Sequence, residues 1–186
     1  MLILSVLYSS ITSGQGLESP WYSEWHTEGV RIQNSLPKGG RYNGPVDQYF
    51  NCSYLVFFTR VVNETDNTLV FEIDFSGDEV PIPNAPDTFM KLFLPPDTMS
   101  IEKQSLFSYG ITELESVCDP STYEGRLSPG EECYFYVVAL FYQGRPDVLH
   151  QSRGGNRGEL ILEEGELFYR ILPQMECSAV GRIRFE

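Results

Sequence analysis

The stretch CYFYVVALFY, from Cys133 to Tyr142, contains no charged or amide side chain. It is too short to span a bilayer as a helix. Its valines and aromatics favour extended backbone. Both faces of a strand built from it are apolar, so it reads as a central strand covered on both sides.

The rest of the chain supplies partners of the same kind. Leu69, Phe71, Ile73 and Phe75 alternate with Val70, Glu72, Asp74 and Ser76, the period of a strand with one buried face. The β-branched and aromatic run from Cys52 to Val62 precedes it, and the turn cluster NETDN between them predicts a hairpin. TFMKLFL and MSIEKQSLF read as two further strands. ELILEEGELFYRIL reads as a hairpin turning near Glu163-Glu164-Gly165, and AVGRIRF as a last strand. The early segment LESPWYSEWHTEGVRIQNSLPKGGRYNGPVDQYF reads as loops around one short strand near Val30 to Asn34. DPSTYEGRLSPGEE reads as a turn-rich loop. ITELESV is the one short helix, with Thr112 as cap and Glu115 closing a capping box. Connections this short exclude repeated βαβ units. The expected class is all-β, an antiparallel sandwich or barrel.

The chain of 186 residues carries 26 acidic and 13 basic side chains, a formal charge of -13. Such a surface repels phosphate backbones, so no nucleic-acid partner is expected. Residues 1–16 (MLILSVLYSSITSGQG) form an apolar run followed by small residues, though without a basic n-region. The run reads as a signal peptide, leaving 17–186 as one domain. An extracellular or periplasmic location follows, with no membrane span. Four cysteines behind such a start suggest disulfides. Cys118 and Cys133 flank a loop they could staple, which leaves Cys52 with Cys177. No Cys-x-x-Cys spacing supports zinc. Asn51-Cys52-Ser53 and Asn63-Glu64-Thr65 are glycosylation sequons.

VVNETDNTLVFEIDF, together with LSPGEECYFYVVALF, resembles the immunoglobulin-like sandwiches of uncharacterised secreted bacterial proteins. The likeness covers Cys52 to Phe75 and Leu127 to Tyr142. It implies an immunoglobulin-like antiparallel β-sandwich and carries no catalytic residue with it. The chain departs from true immunoglobulin domains because both tryptophans precede Cys52.

The chain carries few marks of catalytic chemistry. Gly-x-Ser-x-Gly is absent, and only His26 and His150 could act as a base. Ser100-Ile101-Glu102-Lys103 matches Ser-x-x-Lys without its companion motifs. Asp74, Asp78 and Glu79 lack EF-hand spacing and read as a solvated strand end. No metal and no cofactor is expected. Two binding signals remain. Trp21, Tyr22 and Trp25 could stack on sugar or anchor a protein. Arg145, His150, Arg153 and Arg157, in the long stretch from Gln143 to Gly158, could grip a carboxylate or sulfate. The resulting expectation is a secreted, non-enzymatic β-sandwich used in binding or surface assembly, with a protein or glycan partner at the cell surface. The alternative is a carbohydrate-binding module or carbohydrate-active enzyme.

Overall fold

The computed structural model describes residues 19–43, 50–83, 85, 87–112, 114, 121–145, 156–173 and 175–186. Their strands pair antiparallel throughout. The strands are β1 (Trp21–Thr27), β2 (Val30–Ser35), β3 (Lys38–Arg41), β4 (Phe50–Asn63), β5 (Leu69–Phe75) and β6 (Val80–Pro81). They continue as β7 (Thr88–Phe93), β8 (Ser121–Leu127), β9 (Glu132–Gln143), β10 (Arg157–Glu163), β11 (Glu166–Leu172) and β12 (Met175–Phe185). One sheet runs β1-β2-β4-β9-β7-β6, with β3 also on β4. The other runs β10-β11-β12-β5-β8.

β9 is central, between β4 and β7, as its two apolar faces predict. Its odd-numbered residues Phe135, Val137 and Ala139 join Phe57 and Val61 of β4 in the core shared with the second sheet. The even-numbered Tyr136, Val138, Leu140 and Tyr142 join Tyr54, Val56 and Phe58 on the opposite face. That face is closed by Met99 and Tyr109. A strand apolar on both sides needs two covers, and here the second cover is non-repetitive chain.

Several expectations are corrected. The run Met99 to Phe107 is no strand: it forms a 3₁₀ turn at Ile101–Ser105 and a second turn at Phe107–Gly110. The expected helix ITELESV and its capping box with Glu115 lie largely outside the described residues; the Thr112 hydroxyl donates to Asp97. NETDN is no hairpin turn. β4 stays in the first sheet while β5 pairs with β12 and β8, so the segment crosses between sheets. Trp21–Thr27 is a strand, turned into β2 by Glu28 and Gly29 at φ 53° and 73°, the left-handed pair that a two-residue hairpin turn requires. Ser121–Leu127, expected as loop, is the edge strand β8. The hairpin about Glu164–Gly165 is present, with Glu163 opposite Glu166.

No disulfide joins the described cysteines. Cys52 lies on β4 against the outer cluster of the first sheet, and Cys177 is exposed on β12 of the second. The sheets hold these two apart. Cys133 keeps its thiol, half-buried beside the Tyr123 hydroxyl and hydrogen-bonded with it. The pairings Cys52–Cys177 and Cys118–Cys133 are therefore both absent, and Cys118 itself lies outside the described residues. Residues 1–16, expected as a signal peptide, lie outside them too. No helix among the described residues is long and apolar enough to cross a membrane.

Candidate functional site

The aromatic trio of β1 does not share a face. Trp21 pairs with Ser35 and Ser23 with Asn34, so Tyr22 is an extra residue. A one-residue bulge reverses every side chain beyond it. Trp21 therefore packs edge-on to Phe58, with ring centroids 5.1 Å apart, on the outer cluster. Trp25 packs against the core between the sheets. Its ring is capped by the Arg170 guanidinium at 5.7 Å, and Arg170 is ion-paired with the buried Glu159. Two tryptophans on opposite faces make no flat platform for a sugar chain.

Arg145 and Arg157 are already engaged. Arg145 pairs with Asp87 at 3.5 Å. Arg157 lies over the Tyr22 ring at 5.0 Å and donates to the Asn156 carbonyl at 2.9 Å. The two candidate sets thus meet each other at Tyr22 and Arg157. His150 and Arg153 lie outside the described residues. The stretch from Gln143 to Arg157 leaves β9 in one sheet and enters β10 in the other, so it joins two sheets rather than closing a hairpin. His26 sits 2.8 Å from Glu24, whose carboxyl that hydrogen bond holds below its usual range. Among the described residues, no group of three or more His, Cys, Asp or Glu is arranged to hold a metal.

The structure places a different feature on the surface. Leu106 and Phe107 project from the turn layer, 49% and 77% exposed, near the exposed Ile101. Ser108, Tyr109 and Gly110 follow at φ 45°, 56° and 70°. Left-handed backbone at two consecutive non-glycine residues costs about 1–3 kcal/mol each and persists only when surroundings impose it. Here the surroundings do. The Tyr54 and Ser108 hydroxyls meet at 2.9 Å. Tyr136 donates to the Tyr109 carbonyl at 2.7 Å, and Tyr109 donates to the Leu36 carbonyl. Lys38 Nζ donates to the Gln104 and Leu106 carbonyls and lies 4.3 Å over the Tyr109 ring. Partial burial holds that ammonium below its usual range. Nothing in the strand-like pattern of MSIEKQSLF announces this turn. Its one sequence signal is the Ser-Tyr-Gly that ends it.

No family model, no curated protein and no solved structure matches the chain.

Proposed function

We propose that the chain is an exported, non-enzymatic binding domain, a two-sheet sandwich of immunoglobulin-like kind. In this reading it docks a protein partner at the cell surface through Leu106 and Phe107. The observation that carries it is Phe107, 77% exposed and followed directly by Ser108 and Tyr109, whose left-handed backbone is pinned from below. Exposed apolar side chains on a preorganised backbone suit a binding anchor, because little ordering entropy is left to lose. A protein partner fits better than a glycan: Leu106 and Phe107 bring no hydrogen-bonding group to match sugar hydroxyls. The sandwich supports the reading through the core that the two sheets share.

The test is photocrosslinking of the natively produced protein. A photoreactive phenylalanine analogue replaces Phe107 in one variant and Glu124, exposed on β8, in another. The reading expects a discrete protein adduct from position 107 and none from 124. Equal adducts from both, or none from 107, would sink it.

A further inference from the structure

The ladder between β5 and β12 stops short of both strands. Its last pair is Ile73 with Gly181. Yet β5 runs on to Phe75, and β12, antiparallel to it, extends back through Val180 to Met175. The cause lies on β12. Leu167 pairs with Gly181 and Phe168 with Ala179, so Val180 is an extra residue. A bulge of this kind bends its strand and ends local pairing. Beyond it opens a cleft of about 560 Å³. Asp74, Phe75, Ser76, Gly77 and Asp78 form one wall, Ser178 to Gly181 the other, with Val80 and Leu92 from the facing sheet. That volume falls within the range of about 300–1,000 Å³ typical of ligand sites.

The β12 wall is a strand, the other wall is strand as far as Phe75, and both are satisfied on their far sides. β8 pairs with β5 as far as Phe75 and Ser121, and β11 pairs with Ala179 and Ser178 of β12. The edges facing each other across the cleft share no ladder. In antiparallel strands alternate residues turn both N–H and C=O to one side, so both walls offer donors and acceptors to the gap. The side chains divide between floor and mouth. Phe75, Leu92 and Val180 are buried beneath the cleft, and Asp74 and Asp78 are exposed at its mouth. Asp78 accepts from the Ser76 hydroxyl at 2.7 Å. Among the described residues neither aspartate is paired with a cation. Nearby Lys91 is held by Glu79 and Arg182 by Glu72.

We propose that this split receives an extended, basic peptide segment of a partner as an added strand. Apolar residues of the peptide pack on Phe75, Leu92 and Val180, and alternate lysines or arginines face Asp74 and Asp78. Main-chain pairing supplies affinity in strand addition, and side-chain sites at every second residue supply selectivity. This inference is independent of docking through Phe107.

Amide hydrogen exchange on the intact chain tests it. The probe is a capped synthetic peptide of alternating valine and lysine. In the free protein, alternate amides across 74–77 and 178–180 exchange faster than those of the paired segments 70–73 and 182–185. Adding the peptide slows them. A valine–glutamate peptide binds at least about tenfold weaker through like-charge repulsion. Peptides N-methylated at alternate residues give no protection. Asp74→Asn and Asp78→Asn each weaken binding about twofold to fivefold, the worth of an exposed ion pair, and leave crosslinking at 107 unchanged. The proposal fails if those amides are already protected in the free protein. It fails equally if the valine–lysine peptide protects nothing, or if the N-methylated peptides protect as well. Protection that rises with protein concentration alone would put a second copy in the split, and would also overturn it.

Discussion

Asn34 on β2 and Leu160 on β10 exchange two hydrogen bonds across the gap between the sheets. The Asn34 amide donates to the Leu160 carbonyl at 3.1 Å, and the Leu160 N–H donates to Asn34 Oδ1 at 3.0 Å. β10 is an edge strand, and a buried edge leaves main-chain groups without a ladder. The Asn34 side chain stands in for the missing strand. Thr59 fixes its orientation by donating to Oδ1 at 3.1 Å.

Asn34→Ala therefore orphans both main-chain groups of Leu160, which is fully buried. At about 1–3 kcal/mol per unsatisfied group, the loss should reach about 3 kcal/mol. Urea denaturation should show a lower midpoint with an unchanged slope. Asn34→Asp should cost more, because a carboxylate would meet the Leu160 carbonyl in a buried site. A loss under about 1 kcal/mol in Asn34→Ala would mean water replaces the amide.

Stability should fall in alkali through Cys133. Burial pushes its thiol up to about 11 from an ordinary value of 9.0. The folded state then holds a proton that the unfolded state releases. The resulting stability is fully present below pH 9 and is lost as pH rises from about 9 to about 11. Tyr136, pushed up to about 12 by burial from 10.0, extends the loss above that window. Denaturation midpoints at successive pH values check this, and Cys133→Ser should flatten the lower part of the slope. In the native protein at neutral pH, alkylation should label exposed Cys177 well before Cys133.

Gly181→Ala should destabilise at the point where the second sheet begins to split. A Cβ there would stand 1.9 Å from the Glu72 carbonyl oxygen, which is main chain. Forced repacking of this kind costs about 1–3 kcal/mol, or about 2–4 °C of melting temperature per kcal/mol at this chain length. Thermal unfolding measures it. An unchanged melting temperature would mean β5 and β12 stand further apart than this close approach implies.

The sequon at Asn63 should stay unmodified in a glycosylating host. Asn63 is fully buried, and its amide donates to the Asn67 and Leu127 carbonyls at 2.8 and 3.0 Å. Its oxygen accepts from the Thr65 N–H and hydroxyl. Asn51, by contrast, is exposed. Intact mass should therefore show any glycan lost in Asn51→Gln and retained in Asn63→Gln. The second variant should instead lower stability, as its longer side chain breaks four hydrogen bonds.

The sequence by itself determined the all-β class, the central place of Cys133 to Tyr142, the alternation of Leu69 to Phe75 and the turn at Glu164–Gly165. Each follows from local periodicity or from backbone that only certain residues tolerate. Only the tertiary structure decided which strands pair. NETDN can turn a hairpin or cross between sheets, and the difference lies in what β12 and β9 offer to β5 and β4. The bulges at Tyr22 and Val180 are set by cross-strand register, which leaves no mark in either strand alone. One of them parts the two tryptophans, and the other opens the split above Phe75. The turn that carries Phe107 depends likewise on Tyr54, Tyr136 and Lys38, distant in sequence, to hold Ser108 and Tyr109 where their own preferences would not.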